Sequence, residues 1–299
     1  MRALVSGGTG LVGRYIVETL LDAGYEIIIG GRTKPADGLF ASELEFRPLS
    51  LEPDQNSKAL FSGVDVFIHA AFHHLPGRYR GGEGDDPAGF RRINLDGSVR
   101  LFEAAKQAGV NRTVFLSSRA VYDGVAVGTP LVETLKLQPS SLYGEIKLLG
   151  EQALARLNDP HFTTSSLRLT GVYGELRPNK WDSLFADYLA GKEMAPRAGS
   201  EVHGRDAGQA VRLMLEIEPT LIGGETFNVS DLIADTRSIL APLHQSWPFS
   251  PNLPQSANKT AVAEMDTQKI RKLGWRPGGQ KLFQDTLAGL VTAVPKTPT

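Results

Sequence analysis

The first thirteen residues limit what this chain can become. Arg2-Ala3-Leu4-Val5-Ser6 is a short, mostly apolar run suited to a buried parallel strand, and Gly7-Gly8-Thr9-Gly10-Leu11-Val12-Gly13 follows it at once. A helix is predicted from Leu11, with Val12, Ile16 and Leu20 on one face and Gly24 as its stop. Strand, glycine turn and helix in this order make a seat for a dinucleotide pyrophosphate. A Cβ in the turn would block its tight curvature and the approach of backbone to phosphate, and the free N–H groups of the helix N-terminus attract the anion. The spacing is G-x-x-G-x-x-G rather than the more familiar G-x-G-x-x-G. Glycines that merely shape a turn are the other reading of this segment.

A second strand, Glu26-Ile27-Ile28-Ile29, ends in Gly30-Gly31-Arg32. Many dinucleotide sites place an acid about twenty residues beyond the glycines to hold the ribose 2′-hydroxyl. No acid stands between Ile29 and Lys34 here, whereas Arg32 and Lys34 do. A guanidinium grips a 2′-phosphate that a carboxylate would repel, which favours NADP(H) over NAD(H). The competing reading makes Arg32 a solvated loop residue.

With 299 residues and 41% apolar content, the chain has enough material for one large domain or two interlocked ones. Lys plus Arg number 32 against 33 acids, which gives no case for nucleic acid or an anionic membrane as partner. The absence of cysteine excludes disulfides, thiol catalysis and thiolate metal sites together. No apolar run reaches membrane-spanning length, and the N-terminus enters a strand rather than a signal peptide, so a cytoplasmic location is expected.

Further strands are predicted around Leu44–Pro48, at Val64–Ala71, at Arg112–Ser117 and near Thr164–Leu169, alternating with helical periods. This is the pattern of an α/β fold, a Rossmann-type doubly wound parallel sheet. Phe72–Phe90, rich in glycine and charge, reads as a long loop beside the ligand-binding edge; it holds His73 and His74, whose spacing argues for no metal. After Gly174 the alternation loosens and prolines multiply. Residues 1–169, with about 203–229, are expected to form the dinucleotide-binding domain. Residues 170–202 and 230–299 are expected to form a smaller C-terminal substrate-binding lobe, and Pro295–Thr299 a frayed tail.

Tyr143 and Lys147 lie four apart in a predicted helix whose apolar stripe includes Ile146, Leu149, Ala153 and Leu154. Residues at i and i+4 are neighbours, so phenol and ammonium share one edge. A free phenol titrates near ~10, and an adjacent ammonium lowers that value toward a useful range. Ser118, at the end of the Arg112–Ser117 strand, would hydrogen-bond a substrate oxygen.

These pieces resemble the extended short-chain dehydrogenase/reductase family, of the NAD(P)-dependent epimerase/dehydratase/reductase type. The resemblance runs through Gly7–Gly13, Asp65–Ala71, Asn94–Ser98, Leu116–Tyr122, Tyr143–Lys147, Leu167–Gly174, Val202–Asp206, Phe227–Ser230 and Ile270–Pro277. It implies a catalytic set of Ser118, Tyr143 and Lys147. It also implies that Gly7, Thr9, Gly10, Leu11, Val12 and Gly13 hold the cofactor with Arg32, Leu51, Ala70, Ala71 and Phe72. Asn94, Ser117, Tyr143, Lys147, Leu169 and Thr170 complete that set, with Asn94 supporting the active-site helix. Ser50-Leu51 stands where many members carry an adenine-binding Asp.

Departures from the family pattern narrow the reaction. Arg119-Ala120 replaces the acidic pair of the dehydratases, and the cysteine of the double epimerase/reductases is missing. Pro196–Glu201 lacks the Gly-Asp-Gly segment and arginine that grip a nucleotide-sugar diphosphate. The reading is therefore an NAD(P)-dependent oxidoreductase with a sugar-like or other small polar hydroxy or keto substrate. A sugar or nucleotide-sugar epimerase with tightly held cofactor is the alternative, and a non-catalytic NADP(H)-binding sensor a third. Arg119, Tyr173, Arg177, Lys180 and His203 are candidate substrate contacts, each with a packing or surface role as its other reading. By the same resemblance the chain is expected to form a homodimer through the helices after Asn94 and around Tyr143. Val99, Leu101, Phe102, Leu148 and Leu149 permit this, although such residues can equally face the chain's own sheet.

Overall fold

The N-terminal strands are apolar on both faces, and the chain covers both. The computed structural model describes residues 1–54, 57–75, 81–177, 179–247 and 251–294. The expected tail Pro295–Thr299, and Arg78, Tyr79 and Arg80 of the glycine-rich loop, lie outside these residues. The strands are β1 (Arg2–Ser6), β2 (Glu26–Gly31), β3 (Glu45–Pro48), β4 (Val66–His69), β5 (Arg112–Ser118), β6 (Thr163–Leu169), β7 (Gly171–Tyr173), β8 (Ala198–His203), β9 (Glu225–Val229) and β10 (Leu232–Asp235). The helices are α1 (Leu11–Asp22), α2 (Pro87–Arg91), α3 (Gly97–Gln107), α4 (Leu142–Arg156), α5 (Asp182–Leu189), α6 (Gly204–Glu216), α7 (Thr236–Ser246), α8 (Gln268–Lys272) and α9 (Gly279–Thr292).

Seven strands pair in the order β3-β2-β1-β4-β5-β6-β9, every pair parallel. This is the doubly wound sheet that the strand pattern predicts. Alternate residues face opposite layers. Val5, Ile29 and Ile68 pack with Ile16, Val17 and Leu20 of α1 and with Ala210, Val211 and Met214 of α6. Leu4, Ile28, Phe67 and Phe115 pack with Leu101, Phe102 and Ala105 of α3. Leu101 and Phe102 thus belong to the chain's own core and are withdrawn from the surface expected to pair two copies. Leu148 packs against the Tyr122 and Leu131 cluster. Strand order reverses between β1 and β4, which opens a crevice at the carboxyl ends of the sheet.

α1 stops as its sequence predicts: the Gly24 and Tyr25 N–H groups turn back to Leu21 O and Leu20 O. The glycine-rich loop is shorter than expected, because α2 begins at Pro87. Asp86 caps that helix by accepting from Gly89 N at 2.8 Å, and Pro87 fits its first turn. A smaller sheet, β10-β8-β7, lies over a third core of Tyr173, Trp181, Phe185, Leu240, Phe283 and Leu287. No helix among the described residues is long and apolar enough to cross a membrane.

A buried polar chain ties α4 to the sheet. Glu151 accepts from Ser117 Oγ and pairs with Arg168, with Nη2–Oε2 at 2.7 Å and both side chains 4% exposed. Arg168 Nη1 reaches Tyr122 OH at 2.7 Å, which donates to Asn228 Oδ1 at 2.9 Å. Removing one partner leaves a buried charge uncompensated. Glu151→Ala is therefore expected to lower the unfolding free energy by about 3–5 kcal/mol in urea titrations. The paired apolar replacement Glu151→Leu with Arg168→Met recovers part of that loss.

Candidate active site

The switch between β1 and β4 opens into a cleft of about 1400 Å³. Gly7 takes φ +69°, a conformation that L side chains rarely adopt, and a Cβ there would come within 2.8 Å of Ala71 N. A Cβ on Gly13 would overlap Gly7 O. The turn is closed by Gly10 N donating to Gly7 O at 3.0 Å, and α1 starts with no side-chain cap on its first N–H groups. Those donors lie at the cleft, lined here by Thr9, Gly10, Leu11, Val12 and Gly13. Arg32, Leu51, Ala70, Ala71 and Phe72 line the same end.

His69, at the end of β4, is fully buried between Ser6 Oγ at 2.7 Å and Ser98 Oγ at 2.9 Å. Burial, with the charge of Lys147 nearby, pushes its pKa down to about 3, so it is a neutral strut between β1, β4 and α3. Asn94 does not line the cleft. It accepts from His73 N at 2.6 Å and donates to His73 O at 2.8 Å and Phe90 O at 3.0 Å. Asn94 therefore fixes the backbone just past Phe72.

Ser117, Ser118, Tyr143 and Lys147 meet in the middle of the cleft. Ser118 closes β5, and its Oγ accepts from Ala120 N at 3.2 Å, which leaves the O–H to donate. Ser141 caps α4 through Gly144 N at 3.2 Å, setting Tyr143 in the first turn and Lys147 one turn on. The Lys147 amine donates to Leu116 O at 2.7 Å and lies 4.6 Å and 4.7 Å from the ring centres of Phe72 and Phe115. The Phe72 ring meets Tyr143 edge to face at 5.1 Å. Burial lowers the Lys147 pKa to about 7, with Glu151 pulling the other way.

Beyond this point Leu169 and Thr170 line the cleft, followed by Val172, Lys180, Trp181, Leu184, Glu201 and Ile239. Arg119 is here too, its Nη2 donating to Ala263 O at 2.9 Å. The other three expected substrate contacts are not. Tyr173 is fully buried, stacked on Trp181 with centroids 5.1 Å apart. His203 is fully buried under Tyr15, 3.0 Å from Glu175, and its Nδ1 accepts from Arg205 N to cap α6. Arg177 pairs with Asp182 outside the cleft. Packing from other elements takes the first two side chains, and a local ion pair takes the third. Glu201 is a cleft residue that the sequence reading misses, although a lone acid inside the run Ser200-Glu201-Val202 is a signal.

The residues fit a nicotinamide dinucleotide. The glycine turn is a cradle that a Cβ would fill, and Thr170 Oγ1 is buried with no hydrogen-bond partner among the described residues. Sterol-4-alpha-carboxylate 3-dehydrogenase, decarboxylating, of Homo sapiens is 29% identical over 185 residues, covering 59% of this chain and 46% of that protein. UDP-glucose 4-epimerase of Bacillus subtilis is 29% identical over 184 residues, covering 58% and 53%. The alignments thus span about half the length of these curated relatives. The solved UDP-glucose 4-epimerase of Thermus thermophilus, in complex with NAD, shares the fold with a TM-score of 0.78 at 24% identity over 98% of each chain. Residues 3–230 match the NAD dependent epimerase/dehydratase family, and the chain belongs to that family.

Proposed function

We propose that this chain is an NAD(P)-dependent oxidoreductase acting on a hydroxyl or carbonyl carbon of a small polar, sugar-like substrate. One observation carries the reading: the glycine turn and Ser118, Tyr143 and Lys147 open into a single cleft. A bound nicotinamide supplies a carbon that gives or takes a hydride. Gly7 to Gly13 and the start of α1 would hold its phosphates, Leu51, Ala70 and Ala71 would border its adenosine, and Leu169 and Thr170 would flank its nicotinamide. Ser118 donates a hydrogen bond to the reacting substrate oxygen. Tyr143 exchanges a proton with that oxygen, and the Lys147 ammonium favours its phenolate. Residues 170–202 and 230–299 form the substrate-binding lobe on the domain of residues 1–169 and 203–229.

Arg32 selects NADP(H). It is exposed and lines the cleft, as does Glu52, whose carboxylate is engaged by Arg92 at 2.7 Å. The epimerase alternative is favoured by the Bacillus subtilis relative. Tightly held NAD(H) in freshly purified protein would select that alternative, and empty protein an oxidoreductase with exchangeable cofactor. A homodimer forms through the faces of α3 and α4, where Leu95, Val99, Leu149 and Ala153 line a shallow hollow together with the charged Asp96, Arg100, Glu103 and Arg156.

Tyr143→Phe lowers kcat by about 10²–10⁴-fold with cofactor binding retained, read by nicotinamide absorbance and calorimetry; undiminished turnover refutes the mechanism. Arg32→Glu reduces the kcat/KM ratio of NADPH to NADH by about tenfold or more. An unchanged ratio returns Arg32 to the solvent. In the reductive direction kcat/KM falls as pH rises through about 7. The ammonium form of Lys147 exists below that value and is lost above it, so a flat profile across neutral pH contradicts its electrostatic role.

A further inference from the structure

The substrate half of the cleft contains a charged pair that the proton transfer above does not use. Lys180, in the turn before α5, and Glu201, on β8, are joined through Nζ and Oε2, and both line the cleft. Their side chains are 27% and 11% exposed, so the pair is largely withdrawn from water. The pair lies close against the main chain at Gly171. A Cβ on Gly171 would lie 2.6 Å from Glu201 Oε2 and 2.7 Å from Lys180 Nζ. Gly171 is two residues past Leu169, and Leu169 is the strand partner of Ser118. The pair is thus pressed onto the backbone at the reacting end of the cleft.

Its unused bonding capacity defines a ligand. Among the described residues Glu201 Oε1 accepts no hydrogen bond, and Lys180 commits one of its three N–H donors, to Glu201. An acceptor and two donors therefore remain, between apolar walls that include Val172, Leu184 and Ile239, and Arg197, whose charge acts on Glu201, lines the cleft beside them. A fused apolar ring system seated here would leave both charges out of water without partners, which is costly. A hydroxyl is both donor and acceptor, so two adjacent hydroxyls satisfy both members.

Building on the oxidoreductase reading, we infer that the Lys180–Glu201 pair orients the substrate by its vicinal diol, and that the substrate class is a polyhydroxylated compound. One hydroxyl donates to Glu201 Oε1, and its neighbour accepts from Lys180 Nζ. The reacting carbon is then presented to Ser118 and Tyr143.

The test uses the full chain as wild type, Lys180→Met, Glu201→Gln, the charge-swapped double variant Lys180→Glu with Glu201→Lys, and Tyr143→Phe. The probes are neutral aldopentoses, aldohexoses and pentitols, their deoxy analogues lacking one of two adjacent hydroxyls, UDP-glucose, and a 3β-hydroxysteroid. Binding is read as ligand-induced melting shifts with cofactor present, and turnover as kcat and KM. The expected result is binding of an intact polyol and an increase of about tenfold or more in its KM in each single variant, with a smaller change in kcat. Discrimination against the deoxy analogue is expected to vanish, and the charge swap to restore the melting temperature without restoring KM. The inference is overturned if no polyol binds, if the steroid alone binds, if the single variants keep wild-type KM, or if the swap restores KM together with melting. Tyr143→Phe separates the two levels: undiminished turnover there refutes the oxidoreductase mechanism, whereas its loss beside unaffected Lys180 and Glu201 variants refutes the diol site alone.

Discussion

The Glu151 carboxylate holds one helix against two strands. It takes a hydrogen bond from Ser117 on β5 and a forked contact from Arg168 on β6, while itself standing on α4. A buried ion pair of this kind adds little net stability over a well-packed apolar substitute. What it does fix is the rotation of α4 about its axis. Tyr143, Lys147 and Glu151 follow at intervals of four, so one anchored carboxylate sets the heading of the phenol and the amine on the same edge. The amine is then confined by Leu116 O and two aromatic faces, with no freedom to swing toward solvent.

The two ends of the cleft are built from different materials. Main chain dominates the glycine-turn end: a glycine at positive φ, a second glycine under a carbonyl, and the open N–H groups of α1. Side chains dominate the other end, where Lys180, Glu201 and Arg119 stand among Val172, Leu184 and Ile239. Backbone geometry tolerates few substitutions, whereas side chains on a preformed frame can be exchanged one at a time. Relatives that share the frame while differing in substrate are what such a division allows.

The main sheet and the middle of the cleft are legible in the sequence because they rest on local rules. Short apolar runs mark the strands, glycines mark the turn, and the i, i+4 relation brings Tyr143 to Lys147. Tyr173 and His203 mislead because closeness to a motif says nothing of what packs over a side chain. Tyr15 of α1 covers His203, and Trp181 with Phe283 covers Tyr173, contacts made between separate elements. Leu101 and Phe102 are ambiguous for the same reason, since a helix stripe does not declare which of two neighbours it serves. Glu201 and Lys180 are 21 residues apart, and only the parallel pairing of β7 with β8 brings Glu201 beside Gly171.

Strand order also dictates how the sheet can be completed as the chain is made. β1, β2 and β3 extend one flank, β4 returns to the other side of β1, and β5 and β6 extend that flank in turn. The outer edge of β6 is different, because its partner β9 is reached only after β7, β8 and α6. All seven residues of β6 are buried in the finished protein, so a nascent chain stopped before Glu225 would present a long unpaired edge. Truncation from the C-terminal side therefore exposes the strand carrying Arg168 to pairing with other chains, and synthesis must pass β9 before the ribosome-bound half is safe from aggregation.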